Sequence, residues 1–200
     1  MPGKKGNRRV PPKVREPLKK DLLASEISSG AIKFFRGITR EYDGNVAKGK
    51  LTREEATHGQ IGEMNVFIAR RLPITPEKRS EAIRLLTEDG RAVLLCVKAV
   101  HGIPYSKAEF IERIDRAVKL IPFIREELIR EVPHGKQIIE GLVGVKEKLL
   151  ADPRQEVHGG ARILTDISRI NILQLRKIIG EETFLLFHKI QSNCVNEIVK

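Results

Sequence analysis

Apolar residues recur at helical spacing along nearly the whole chain after residue 20, and no other feature limits the fold as strongly. Ile27, Ala31 and Phe34, for instance, are separated by four and three residues and would lie on one face of a helix. No segment shows a convincing alternation of apolar and polar residues, which is the pattern of a half-buried strand. The sequence therefore predicts an all-α fold, and it assigns residues 21–200 to a single domain.

The expected number of helices follows from the signals that start and end them. Three helix starts carry an N-cap hydroxyl followed by proline or by a glutamate three residues later: Thr52, Thr75 and Ser106. Three interruptions by serine, glycine, aspartate or proline are predicted to separate helices: Ser28–Gly30, Asp89–Gly90 and Pro122. Together with the other breaks in the pattern, these signals predict a multi-helix bundle of about nine helices.

The positive charge of the chain is concentrated near residue 1. The formal net charge is +11, and residues 1–20 contribute +7 of it. This segment holds eight cations against the single acid Glu16: Lys4, Lys5, Arg8, Arg9, Lys13, Arg15, Lys19 and Lys20. It is rich in proline and glycine and has almost no apolar residues, so it cannot bury enough surface to offset the entropy lost on ordering. We call residues 1–20 the basic arm and predict that it is disordered or extended.

A basic arm on a nearly neutral body is typical of proteins that bind polyanions, because each neutralised phosphate releases condensed counterions. Nucleic acid is the predicted partner, and the eight cations of the basic arm are the predicted contacts. Aromatic residues make up only 4% of the chain, which favours a duplex over base-stacking on single strands. A solubilising tail is the alternative. A membrane partner is disfavoured because the arm lacks large apolar anchors.

A second candidate interface lies at residues 91–119, which resemble a helix-turn-helix. Gly102 would form the turn, and Ala108 and Ile111 of the following helix would pack inward. Four cations of that second helix are possible secondary contacts with nucleic acid: Lys107, Arg113, Arg116 and Lys119. Because acidic residues alternate with these cations, two ordinary packed helices remain the alternative.

The sequence predicts no catalytic, metal or cofactor site. Two Glu-x-x-His spacings, Glu55–His58 and Glu131–His134, match pairs that bind metals in helical bundles, but no further inward carboxylates stand out. Cys96 and His101 would point to different faces of one helix, which excludes a nucleophile paired with its base. We therefore expect a protein that is not an enzyme and that takes no cofactor and no small-molecule substrate.

Two further segments carry a family resemblance. The opening MPGKKGNRR and the pattern LLADPRQEVHGGARILTDI, from Leu149 to Ile167, are similar to sequences of small terminase subunits of tailed phages. The resemblance implies a homo-oligomeric ring that recognises viral DNA for packaging, with catalysis supplied by a larger partner. The apolar stripe predicted for the final helix, which includes Val195 and Ile198, is a candidate surface for such self-assembly.

Two other functions remain open at this stage. A nucleocapsid or coat protein of a filamentous or helical virus also combines a basic arm with an α-helical body, and so does a chromosome-associated DNA-binding protein. The first twenty residues lack the apolar region of a secretory signal, and two cysteines cannot form a disulfide framework. We therefore expect the protein inside the host cell or in a virion.

Overall fold

The computed structural model describes residues 16–152 and 159–198, which contain seven α-helices and no β-strand. The helices are α1 (Glu16–Ala47), α2 (Arg53–Ala69), α3 (Pro76–Val100), α4 (Lys107–Glu131), α5 (Gly135–Ala151), α6 (Gly160–Ile179) and α7 (Glu181–Ile198). The predicted all-α class is confirmed, and the predicted number of about nine helices is wrong.

The number is smaller because the helices run through the predicted interruptions. In α1 the Ser28 hydroxyl donates to the carbonyl of Ala24 at 2.6 Å, one turn back, so it does not compete with the helix. Pro122 lies exposed inside α4, where a proline ring costs about 3 kcal/mol. Ile121 and Ile124 on either side of it are buried in the core. Burial of the flanking residues therefore outweighs the local preference for a break.

The three predicted N-caps are confirmed. The Thr52 hydroxyl accepts from the backbone N–H of Glu55 at 3.1 Å, and the Glu55 carboxylate accepts from the N–H of Thr52 at 2.9 Å, which completes a capping box. Thr75 and Ser106 each accept a hydrogen bond from the N–H three residues later, at 3.4 and 3.3 Å. These bonds satisfy N–H groups that have no partner within the helix.

The helices enclose two apolar clusters that lie end to end. The first cluster combines α1, α2 and α7 with the beginning of α3 and the end of α6, and the second combines α4 and α5 with the remaining halves of α3 and α6. Leu86 of α3 therefore shares a cluster with Leu175 of α6, whereas Leu95 shares one with Leu164. This pairing shows that α3 and α6 are antiparallel and that together they span both clusters.

Charged side chains lie where the two clusters meet, and we call Glu88, Asp89, Arg113 and Arg116 the polar belt. Arg113 is only 3% exposed and forms an ion pair with Glu88. Arg116 contacts the same carboxylate at 2.7 Å. Burial, followed by repulsion from Arg116, lowers the pKa of Arg113. The nearby acids therefore have to stabilise the charged form of this guanidinium. The polar belt thus holds α4 onto α3 through charge as well as apolar contact.

Asp89 makes the stability of the folded protein depend on pH, and one substitution tests this. Burial raises the pKa of Asp89, against hydrogen bonds from Ser168 and Asn171 that lower it, and its Oδ1 has no hydrogen-bond partner among the described residues. Between the unfolded value of 3.8 and the raised folded value, the folded state binds more protons, so this group lowers stability as pH rises. We expect Asp89→Asn to melt a few degrees higher than the unaltered protein at pH 7, and we expect that difference to shrink at pH 4.5. Circular dichroism melts at both pH values measure it, and an equal difference at the two would contradict the assignment.

Candidate nucleic-acid interface

The structure places the basic arm partly inside the first helix. Because α1 begins at Glu16, Lys19 and Lys20 are helical, and both are exposed. Lys20 also forms an ion pair with Glu182 of α7 at 3.2 Å. The other predicted contacts of the arm lie outside the described residues: Lys4, Lys5, Arg8, Arg9, Lys13 and Arg15.

The cations of the second predicted interface do not form an open basic surface. Arg113 is buried in the polar belt, and Arg116 is held by Glu88 and by Glu112 at 2.6 Å. Lys119 pairs with Asp115 at 2.6 Å, and Lys107 is the first residue of α4. The preceding helix, α3, has 25 residues and begins at Pro76, well before Arg91. Segment 91–119 therefore consists of the end of one long packed helix and the start of another.

A set of cations that the sequence analysis did not single out lies on α1. Lys33, Arg36 and Arg40 are exposed and have no ion-pair partner among the described residues. Their spacing of three and four residues places them on one helical face, about 4.5–6 Å apart along the axis. No acid occurs from residue 27 to residue 40. We call these three residues the basic stripe.

The core holds the basic stripe in place from the opposite side of α1. Ala24, Ile27, Ala31 and Phe35 are buried in the first apolar cluster, at the spacing of one helical face. Since this face is fixed by packing, the side chains on the far face point to solvent along a rigid helix. The basic stripe is therefore presented without any rearrangement of the backbone.

The basic stripe is uncovered because α7 is too short to reach along α1. Asp21 pairs with Lys189 at 2.5 Å, and the carbonyl of Ser28 accepts from the Cys194 thiol at 3.7 Å, so the two helices run parallel from their N-terminal ends. The helix α7 ends at Ile198, whereas α1 continues to Ala47. Within the described ranges, α7 therefore lies along only the first half of α1.

A polar groove of about 790 Å³ lies at this junction of α1 and α7. Two residues of the basic stripe, Lys33 and Arg36, line it together with one acid, Glu197, and one apolar residue, Ile32. The rest of the lining consists of hydroxyl and amide side chains: Ser25, Ser28, Ser29, Asn193 and Asn196. Lysine, arginine, serine and asparagine are the side chains that commonly contact phosphate and sugar oxygens. The groove can thus combine charge attraction with neutral hydrogen bonds to an anionic chain.

Several other cations of the body are paired locally with acids. Lys146 contacts Asp115 at 2.6 Å, and Lys177 contacts Glu127 at 3.1 Å and also donates to the carbonyl of Phe123. Such pairs reduce the positive potential near the surface. The basic stripe has no ion pair among the described residues, and the acid that lines the groove beside it is Glu197 of α7. The sequence does contain the signal that identifies this stripe, which is three cations at helical spacing within an acid-free segment.

In comparisons with known proteins, no family model, no curated protein and no solved structure matches this chain. Within the described ranges, no three His, Cys, Asp or Glu side chains are grouped so that they could hold a metal ion. None of the helices described has the length and apolar content needed to cross a bilayer. The candidate interface therefore has to be judged on its geometry and charge alone.

Proposed function

We propose that the protein binds nucleic acid without catalysis, using the basic arm and the basic stripe to contact the phosphate backbone. The observation that carries this proposal concerns Lys33, Arg36 and Arg40 on the helix that directly follows residues 1–15: all three are exposed and have no ion-pair partner in the described part of the chain. Lys33 lies 17 residues after Glu16, which corresponds to about 25 Å along the helix axis. One bound strand or one side of a duplex would therefore extend from the arm to the polar groove.

The contacts favour the backbone over the bases. The helix that would have read the major groove has Arg113 buried and Arg116 and Lys119 paired with acids. The groove beside the basic stripe is lined by serine, asparagine and cationic side chains together with Ile32 and Glu197, and none of these residues carries an aromatic ring on which a base could stack. We infer binding that is strong at low salt and nearly independent of nucleotide sequence.

Within this function, DNA packaging in the manner of a small terminase subunit is the role that we propose, with self-assembly into a homo-oligomer. Exposed apolar side chains on several helices support self-association: Leu22, Phe123, Leu150 and Leu185. The apolar stripe of α7 contributes less than the sequence analysis expected, because Phe184, Phe187, Ile190 and Cys194 pack in the core. Of the two positions singled out on that helix, Ile198 packs against the core and Val195 remains 38% exposed.

A helical coat protein and a chromosome-associated protein would use the same backbone contacts, so stoichiometry separates the three roles. A packaging ring has one discrete mass. A coat forms an open series that grows with the length of the nucleic acid, and a chromosome-associated protein forms neither a ring nor a filament. Light scattering with DNA fragments of two lengths distinguishes these outcomes.

Neutralising the basic stripe tests the proposed interface. We expect the triple variant Lys33→Gln, Arg36→Gln, Arg40→Gln to weaken binding to a DNA duplex and to reduce the slope of log K against log salt by about 2.7, that is 0.9 for each phosphate that is no longer neutralised. Fluorescence anisotropy of a labelled duplex at several salt concentrations measures both quantities. The helix content should stay unchanged, because all three side chains are exposed.

A matched control separates the basic stripe from net charge alone. The variant Arg84→Gln, Arg130→Gln, Lys136→Gln removes the same three charges from exposed residues that are already paired with acids. It should retain most of the affinity and of the salt slope. Equal losses in the two variants would contradict a localised interface on α1.

A further inference from the structure

A second cleft, distinct from the polar groove, lies on the other side of α1. It has a volume of about 350 Å³ and follows the outward surface of α2 between α1 and α3. Val66 and Phe67 of α2 line it, with Phe34 on one side and Leu86 and Leu94 on the other. Its volume lies at the lower end of the range for small-molecule sites, and its lining has their usual mixture of apolar walls and few polar groups.

Two glycines lie where α2 and α3 approach each other beside this cleft. Gly62 of α2 and Gly90 of α3 both line it, and a Cβ on Gly62 would lie 3.7 Å from the Cα of Gly90, which is ordinary contact. Neither glycine has a positive φ, so the backbone at both positions suits other residues. Each glycine inside a helix costs about 1 kcal/mol relative to alanine. The pair therefore lets α2 and α3 pack closely beside the cleft.

The apolar wall is already rigid. The rings of Phe34 and Phe67 stack with their centroids 4.7 Å apart and an angle of 21° between planes. The Arg71 guanidinium lies 3.4 Å from the centroid of the Phe67 ring. Phe34 and Arg71 thus cover the two faces of the Phe67 ring and hold it in one position, so a ligand in the cleft would meet the edge of this ring without any rearrangement.

The cleft is lined by charges of both signs, and one of its cations has no ion-pair partner among the described residues. The Tyr42 hydroxyl donates to Glu63 Oε1 at 2.7 Å. Burial and the nearby Glu63 raise the pKa of Tyr42, so the phenol stays neutral and keeps this hydrogen bond to the carboxylate. Two guanidinium groups also line the cleft. Arg91 contacts Glu88 at 3.4 Å, whereas Arg70 has no ion-pair partner among the described residues. An anionic group on a ligand would supply the partner that Arg70 lacks.

We propose that this cleft binds a small planar aromatic anion, such as an aromatic carboxylate or sulfonate. The aromatic body lies against Val66, Leu86, Leu94 and the edge of Phe67, and the acid group faces Arg70. No motif in the sequence points to this site, because the apolar walls come from three different helices. The site is separate from the basic stripe, so it does not depend on nucleic-acid binding.

The probe for this proposal is 1-anilinonaphthalene-8-sulfonate, an aromatic sulfonate whose fluorescence rises in apolar surroundings. We expect the folded protein to bind it saturably at one site per chain. Val66→Glu places a carboxylate in the cleft wall and should weaken binding of the anionic probe at least tenfold, and Arg70→Gln should weaken it severalfold. The control Val143→Glu alters a half-buried valine inside α5 that does not line the cleft, so it should bind the probe as the unaltered protein does.

Two further variants make the outcome decisive. Leu94→Trp enlarges a side chain that lines the cleft, so it should reduce the open volume and weaken probe binding. The triple variant of the basic stripe should bind the probe normally. The proposal is overturned if the folded protein shows no saturable binding, or if Val66→Glu and Leu94→Trp bind the probe as the unaltered protein does. If the basic-stripe variant lost probe binding, the probe would be binding on the other face of α1, and the proposal would be overturned as well.

Discussion

Glu88→Ala is expected to lower the free energy of unfolding by about 3–5 kcal/mol, because removing one member of a buried ion pair leaves an uncompensated charge. The Glu88 side chain is only 12% exposed and contacts three arginines: Arg91, Arg113 and Arg116. Arg91 and Arg116 reach solvent and can be hydrated after the change. Arg113 cannot, and its remaining acid partner would be the half-exposed Glu112 at 2.8 Å. Urea denaturation followed by circular dichroism measures the loss.

Two comparisons separate this effect from a general sensitivity of α3 and α4. Glu112→Ala removes an acid that is largely solvated, and it should cost less than about 1 kcal/mol. The double variant Glu88→Gln, Arg113→Met replaces the buried charges with side chains of similar size, and it should recover most of the stability lost in Glu88→Ala. A loss below about 1 kcal/mol for Glu88→Ala would show that the polar belt is hydrated and does not hold α4 against α3.

The helix starts could be predicted from the sequence because cap chemistry is local. At Thr52 the hydroxyl, the acceptor carboxylate and the two N–H groups all lie within four residues. The interruptions could not be judged in the same way. Whether Pro122 ends a helix depends on Ile121 and Ile124, which gain more from the core than the ring costs, and that core is built from other helices. The predicted number of helices is therefore too high, because burial in the core outweighs the local preference for a break at these positions.

The candidate interface could be predicted only in part for a similar reason. Counting charges locates the basic arm, since its excess of cations is visible in the sequence itself. The same counting treats Arg113 and Arg36 alike, although one is buried against Glu88 and the other is exposed and has no ion-pair partner among the described residues. That difference depends on α3 lying against α4 and on α7 ending before it reaches the second half of α1. Neither arrangement can be found from a window of neighbouring residues.

Removing residues 2–15 is expected to abolish most of the affinity for a DNA duplex at physiological salt. The deleted segment holds six cations and no acid. If all six contact phosphates, the slope of log K against log salt should fall by about five, at 0.9 for each contact. The truncated chain keeps α1, the basic stripe and both apolar clusters, so its helix content and thermal unfolding should match those of the full chain. Circular dichroism checks this before binding is compared.

The salt dependence of duplex binding, measured by fluorescence anisotropy for the full chain and for the chain lacking residues 2–15, tests backbone contact most directly. For the full chain we predict a linear fall of log K with log salt, and a loss of about a thousandfold or more between 50 and 200 mM salt, as expected for at least six phosphate contacts. The truncated chain should bind weakly, with a shallow slope that the triple variant of the basic stripe removes. An affinity that does not change with salt, or equal slopes for the full and truncated chains, would contradict the proposed function.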